Sequence, residues 1–222
     1  MADEKRPYRK KRRAELEEET RRRITESAVE LHGTLGPART SISAVAERAG
    51  VRRSTLYRHF PDERALFEAC SAHWRAANPP PDPGAWATIA DADERLRVAL
   101  GELYPDYRRT EAMRSNLLRD EATHAVTARL MRGYHEYLAA TRDVLMKGRA
   151  ARGRARARVQ AAIGHALAFA TWRSLAVEQA LDDNDVAELM CRLVAAAADH
   201  PPAGSGARSS QAGRRAPTTT SG

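Results

Sequence analysis

Side chains that commonly bind nucleic acid are concentrated in residues 52–59. This segment carries Arg52, Arg53, Ser54, Thr55, Tyr57, Arg58 and His59. An arginine near the start of a helix in the major groove can contact both acceptors of a guanine, whereas hydroxyl, phenol and imidazole groups can donate to phosphates. Residues 39–60 hold five arginines and one glutamate, a local charge of +4. The segment is therefore either a DNA-contact surface or a solvated basic hairpin of two helices.

Two short helices are needed to position these side chains. The first has an apolar face at helical spacing, made of Ile42, Val45, Ala46 and Ala49. Thr40 or Ser41 can cap its first turn, and Gly50 ends it because glycine adopts the left-handed conformation that a sharp turn requires. Leu56 and Phe60 mark the inner face of the second helix. The pattern predicts a helix-turn-helix between residues 41 and 60.

The rest of the chain is predicted to be helical, since no segment alternates apolar and polar residues as a strand does. Apolar residues at helical spacing predict helices over 14–35, 62–74, 91–109, 110–119, 121–147, 154–181 and 183–199. The expected fold class is all-α, with an N-terminal three-helix domain that contains the helix-turn-helix. A C-terminal domain of antiparallel helices is expected to follow it.

Composition divides the chain into five parts. Residues 1–13 contain seven basic and two acidic side chains, and residues 201–222 contain three arginines and no acid. The ends therefore account for the whole net charge of +8, and the part between them is neutral. We expect a disordered basic arm (1–13), a helix-turn-helix domain (14–77), a proline-rich linker (78–90), a second helical domain (91–199) and a disordered tail (200–222).

Several classes of protein are not favoured. The two cysteines match no metal or redox spacing, so no cofactor and no metal are expected. The first residues are charged, and no apolar run approaches the roughly 20 residues that span a bilayer, so we expect a cytoplasmic protein. Glu121 and His124 have a spacing found in di-metal helical bundles, but no second pair accompanies them. An enzyme is therefore not expected.

Residues 41–61, SISAVAERAGVRRSTLYRHFP, followed by Ala65, Leu66 and Phe67, resemble the N-terminal domain of the tetracycline-repressor (TetR) family. Residues 168–175, AFATWRSL, are more loosely similar to actinobacterial-type members. The resemblance implies an all-helical homodimer whose Tyr57 and His59 contact phosphates and whose second short helix reads bases. We add Thr40, Ser41 and Arg64 to the predicted DNA contacts.

Three positions depart from the family pattern. Arg52 stands where a serine is usual, which replaces a helix cap by a longer, charged reader of bases or phosphates. Glu63 stands where a basic residue is common, with Arg64 one place later. His32 replaces a common aromatic residue and is interpreted as a core substitution.

The resemblance also implies a small-molecule cavity and a dimer interface in the C-terminal domain. The candidate pocket residues are Met113, Leu117, Tyr134, Tyr137, Leu138, His165, Phe169 and Trp172. Each of them can equally be ordinary core. Helices 154–181 and 183–199 are expected to form a four-helix bundle with a second subunit, or else to be buried within one subunit.

The predicted function is a DNA-binding regulator, a repressor released from a palindromic operator by an unidentified small molecule. The alternative is a basic protein that coats DNA without sequence preference, or an adaptor, with no ligand. Sequence-independent affinity arising from the basic ends would distinguish that alternative.

Overall fold

The computed structural model describes residues 5–199, in which every regular element is helical. The helices are α1 (Lys5–Thr34), α2 (Ile42–Arg48), α3 (Arg53–His59), α4 (Glu63–Ala77), α5 (Pro83–Trp86), α6 (Ala92–Arg109), α7 (Glu111–Glu121), α8 (Ala125–Met146), α9 (Gly153–Leu167), α10 (Phe169–Arg173) and α11 (Asp183–Asp199). A 3-10 turn (Pro37–Arg39) precedes α2, and a π-helical turn (Ser174–Glu178) follows α10. The predicted all-α class is confirmed.

Helices α1–α4 enclose the smaller of two hydrophobic cores. Its fully buried members include Ile24, Ala28, Leu56 and Phe60. Burial of each large apolar side chain contributes about 1.5–3 kcal/mol, so this core can hold the two short helices in place although neither would be stable alone.

The turn between α2 and α3 is built as the sequence predicts. Ser41 Oγ accepts a hydrogen bond from the backbone N–H of Ala44 at 3.1 Å, whereas Thr40 Oγ1 donates to the Gly36 carbonyl at 2.8 Å. Ser41 is therefore the cap. Gly50 has a φ of +64°, a conformation that L side chains rarely adopt. The predicted helix-turn-helix is present.

The larger core lies among α6, α8, α9, α10 and α11. The helix predicted over 154–181 is interrupted there at Ala168, whose backbone is extended (φ −71°, ψ 126°). Tyr104 Oη donates to the Ala166 carbonyl at 2.9 Å, and Tyr107 Oη donates to the Leu167 carbonyl at 2.7 Å. These buried tyrosines satisfy carbonyls that have no helical partner where the helix stops, which explains the break.

Residues 78–90, predicted to be a proline-rich linker, connect α4 to α6 and contain the short α5. Asp82 Oδ1 accepts the N–H of Gly84 at 2.8 Å and caps the short α5, which begins at Pro83. Proline is tolerated in a first helical turn because that position needs no N–H donor. Trp86 is only 1% exposed, and its Nε1 donates to Glu102 Oε2 at 2.8 Å. The tryptophan therefore packs this segment onto the larger core.

Residues 5–13, predicted to belong to a disordered arm, form the first turns of α1 in the structure. Ion pairs one helical turn apart support them, between Lys11 and Glu15 at 4.0 Å and between Arg13 and Glu17 at 3.1 Å. Residues 1–4 and the predicted tail over 200–222 lie outside the described residues.

The two predicted domains pack against each other. Helix α1 contacts α7, and α4 contacts α8. Within residues 5–199, none of the helices is both long and apolar enough to cross a membrane.

Candidate nucleic-acid interface and effector cavity

Helix α3 turns its apolar side inward and its polar side to solvent. Leu56 is fully buried, whereas Tyr57 is 42% exposed. The other exposed side chains of this segment are Arg52, Arg53, Ser54 and Arg58, and Thr55 and His59 are half-buried. All seven predicted contacts of residues 52–59 therefore lie on α3 or, in the case of Arg52, at its N-cap.

The remaining predicted contacts lie at the starts of the neighbouring elements. Ser41 is exposed at the start of α2, and Thr40, which precedes it, is half-buried. Arg64 is exposed in the first turn of α4, with its Nη1 3.7 Å from Glu68 Oε1. An exposed ion pair of this kind is weak, so Arg64 can change partners readily.

Arg21 of α1 fixes the end of α3, which the sequence did not predict. Its Nη1 donates to the His59 carbonyl at 2.8 Å, and its guanidinium lies 4.3 Å from the centre of the Phe60 ring. A cation placed at a helix C-terminus and over an aromatic face is stabilised by both. Arg21 therefore holds α3 from behind its final turn.

The imidazole of His59 has a buried Nε2 without a hydrogen-bond partner among the described residues. Burial lowers the pKa of His59, and the positive charges of Arg58 and Arg21 lower it further. The ring is therefore neutral near pH 7, and it can offer a phosphate an N–H donor.

A cavity of about 290 Å³ lies between α1 and α4 on one side and α7 and α8 on the other. Four predicted pocket residues line it, namely Met113, Leu117, Tyr134 and Tyr137. Its size is close to the lower end of the range for small-molecule sites, which begins at about 300 Å³. The cavity thus lies where the two predicted domains meet.

The other four predicted pocket residues do not line this cavity. Phe169 and Trp172 are buried in the larger core, with ring centres 5.4 and 5.9 Å from that of Tyr107. His165 is exposed and lies 3.2 Å from Thr171 Oγ1 through its Nδ1. Leu138 is partly buried against the larger core. Packing against Tyr107 of α6 explains the placement of Phe169 and Trp172.

The cavity instead includes side chains of the DNA-binding domain that sequence reasoning missed. They are Val29, His32, Phe67, Cys70, Ser71, Trp74 and Arg75. The sequence showed that α1 and α4 are amphipathic, but not that part of their apolar surface is left uncovered by the small core.

His32 is buried, as a core substitution should be, yet it also faces this cavity. Its Nδ1 is 3.5 Å from Cys70 Sγ, and its ring centre is 4.8 Å from that of Phe67. Burial, together with the positive field of His124, lowers the pKa of His32 to about 4. The ring is uncharged at neutral pH.

Three polar residues of α7 join the C-terminal domain to the end of α1, and we call them the α7 network. Asn116 Nδ2 donates to the carbonyls of His32 and Gly33 at 3.1 and 2.8 Å. Arg119 Nη2 donates to the Leu35 carbonyl at 2.8 Å. Asp120 Oδ2 accepts the Ala38 N–H at 3.0 Å. The α7 network supplies partners to the backbone that connects α1 with the helix-turn-helix.

The outer face of α11 carries apolar side chains that have no cover within the described residues. Leu189 is 43% and Leu193 is 41% exposed, whereas Val186, Met190 and Val194 on the inner face are buried. Two exposed leucines one turn apart, beside the exposed small residues of α9, form a surface suited to helix packing.

Glu121 and His124 contact different partners in the structure. Glu121 Oε1 is 2.8 Å from His135 Nε2, whereas His124 accepts the Thr127 N–H and caps α8. Within residues 5–199, no three His, Cys, Asp or Glu side chains are placed to hold a metal ion.

Comparison with known proteins places residues 24–70 in a described family, the bacterial regulatory proteins of the tetR family. No curated protein matches the sequence. A TetR-like transcriptional regulator from Rhodococcus sp. RHA1 is 18% identical, with a TM-score of 0.59 over 80% of this chain and 94% of that chain. A second Rhodococcus regulator is 15% identical, with a TM-score of 0.53 over 79% and 94% of the two chains.

A candidate fatty acid metabolism regulator from Clostridium perfringens is also similar. It is 15% identical, with a TM-score of 0.57 over 78% of this chain and 97% of that chain. At these identities the three structures show a shared fold.

Proposed function

We propose that this chain is a transcriptional regulator of the tetR family, whose family model matches residues 24–70, and that it is a repressor released from a palindromic operator by a small molecule. The observation that carries the DNA-binding part is the exposed polar face of α3, set on a buried apolar face. Such a helix fits the major groove, whereas a merely solvated hairpin would not need Arg21 to fix its end.

Arg52 and Arg53 are the proposed base readers. Arg52 is the N-cap of α3 and Arg53 its first residue, so both extend from the end of the helix that enters the groove. Tyr57, His59 and Thr55 are the proposed phosphate contacts, which set the register of the protein on the duplex without reading sequence.

Dimerisation is proposed through the outer faces of α9 and α11. The exposed Leu189 and Leu193 would be covered by the same two residues of a second subunit, because a two-fold interface uses one patch twice. Two copies of α3 would then face successive major grooves, and the operator would be a rough palindrome.

Release by a ligand is proposed to act through the cavity. Its walls include α4, which directly follows the helix-turn-helix, and α7, whose network holds the end of α1. A ligand that fits one arrangement of these helices better than the other shifts the population toward it. If the ligand favours an arrangement in which the spacing of the two α3 helices does not match that of successive major grooves, it weakens operator binding.

Selection of bound sequences from random duplex DNA tests this function. It should be carried out with the unaltered chain, with Arg52→Ala and with Arg132→Ala, an exposed arginine of α8, as the matched control. We expect a palindromic motif that Arg52→Ala blurs at one position in each half-site and that Arg132→Ala leaves intact. Recovery of no motif, with binding that disappears as salt is raised, would support the DNA-coating alternative instead.

A further inference from the structure

The chemistry of the cavity wall restricts the effector that it can hold, provided that the proposed function is correct. The buried part of the wall is formed by aromatic rings, thioethers and aliphatic chains, among them Phe67, Met113 and Met131. Exposed lining residues, Arg75, Pro80 and Gly133, mark the side that opens to solvent. A molecule in the cavity would therefore be surrounded mainly by apolar atoms.

The volume sets the size of this molecule. A dry protein cavity of about 150 Å³ holds one benzene ring. At about 290 Å³ the present cavity has room for roughly twice as much. A compound of two fused rings, or an aliphatic chain of similar volume, is the expected size.

The one poorly exposed charge in the wall is already paired. Arg114 has a side chain that is 11% exposed, and its Nη2 lies 2.6 Å from Asp106 Oδ2. Its Nε donates to Thr110 Oγ1 at 2.7 Å, and its guanidinium lies 5.3 Å from the centre of the Tyr134 ring. A carboxylate placed here would compete with Asp106 for one guanidinium and would lose its own hydration.

Two neighbouring groups do not change this balance. Arg109 also donates to Asp106, at 2.5 Å, but its side chain is 49% exposed, so water screens its charge. His32 is uncharged near pH 7 because burial lowers its pKa to about 4. The wall therefore offers an anion no unpaired buried cation.

The hydroxyl of Tyr134 is a polar group of the wall that a ligand can reach. Tyr137 Oη donates to the Pro81 carbonyl at 3.0 Å. Tyr134 Oη has a weaker contact, 3.5 Å from Tyr107 Oη, whose own proton is donated to the Leu167 carbonyl. A ligand oxygen could replace this long hydrogen bond by a shorter one.

We propose that the effector is an uncharged, largely apolar molecule of about two rings, with one polar group that hydrogen-bonds to Tyr134 Oη. Anionic and cationic molecules of the same shape are disfavoured, because the wall has no unpaired buried charge to meet them.

Calorimetric titration of the full chain, without DNA, with 1-naphthamide and 1-naphthoate tests the proposal. These probes have the same shape and differ in charge. We expect 1-naphthamide to bind at least about tenfold more tightly, a difference of about 1.4 kcal/mol. Equal or tighter binding of 1-naphthoate would overturn the proposal, and so would the absence of binding by both probes at millimolar concentration.

A hydroxyl deletion tests the contact with Tyr134. Tyr134→Phe should weaken 1-naphthamide binding about five- to tenfold, the effect of removing one hydrogen bond. Tyr8→Phe, exposed at the start of α1 and outside the cavity, is the control and should bind as the unaltered chain does. Unchanged affinity in Tyr134→Phe would contradict the assignment.

Failure of the proposed function is distinguishable from failure of this inference. If 1-naphthamide binds the DNA-free chain through Tyr134 but leaves operator binding unchanged, the ligand class stands and release by a ligand does not.

Discussion

Asp120 of α7 accepts the backbone N–H of Ala38, 3.0 Å from its Oδ2, in the turn that leads into the helix-turn-helix. The carboxylate is buried and also receives Arg119 Nε at 2.8 Å. A Cβ added at Gly36 would collide with both Arg119 and Asp120, and Gly36 has a φ of +93°. The backbone of the DNA-binding domain therefore approaches α7 as closely as glycine permits.

Asp120→Ala should weaken the junction between the domains. It removes the acceptor of the Ala38 N–H and of Arg119 Nε, and the loss of these two hydrogen bonds should cost about 1–3 kcal/mol. The free energy of unfolding in urea measures this destabilisation. Asp143→Ala, at an exposed carboxylate, is the control and should change stability by less than about 0.5 kcal/mol. Equal stability of both variants would show that the α7 network contributes nothing.

His32 should make the protein less stable as pH falls from 6.5 towards 4. The unfolded chain binds a proton at this residue near pH 6.5, whereas the folded chain resists protonation until about pH 4. A protein loses stability as the pH is lowered wherever its unfolded state binds more protons than its folded state. His32 therefore accounts for a decrease of roughly 3 kcal/mol in the free energy of unfolding over that window. In His32→Phe the free energy of unfolding should depend less on pH over that window. An unchanged dependence would contradict the buried, neutral state of the ring.

The outer face of α11 should control dimerisation. Leu189→Glu combined with Leu193→Glu would place four carboxylates in the proposed interface, and we expect a monomer by light scattering. Leu16→Glu, at a 61% exposed position of α1, should leave the mass of the dimer unchanged. If the double variant is still a dimer, the interface does not lie on the outer face of α11.

The first turns of α1 should add salt-dependent affinity for DNA. Substitution of residues 9–13 by alanine removes five positive charges, and it preserves the helix because alanine has a high helix propensity. For every phosphate that these side chains neutralise, the substitution should reduce the slope of log K against log salt by about 0.9. Arg129→Ala combined with Arg132→Ala, at exposed positions of α8, is the control. If the two slopes agree, α1 does not contact DNA.

The helix-turn-helix was predictable because its determinants are local. The Ser41 cap, the left-handed Gly50 and the inner face at Leu56 lie within a few residues of the elements that they specify. By contrast, the break at Ala168 depends on Tyr104 and Tyr107, which lie far earlier in the chain, and no local pattern marks it.

The cavity was only half predictable for the same reason. Met113, Leu117, Tyr134 and Tyr137 belong to the domain in which the pocket was expected. The opposite wall comes from α1 and α4, and their approach to α7 depends on tertiary packing and on the α7 network. Arg21 likewise acts across 38 residues, on the carbonyl of His59.

Titration of the chain with its selected palindromic duplex, and with a scrambled duplex of the same length and composition, tests the central claim most directly. At about 0.15 M salt, a regulator that reads bases through α3 should bind the palindrome at least about 1,000-fold more tightly. Equal affinity for the two duplexes would contradict sequence-specific regulation by this protein.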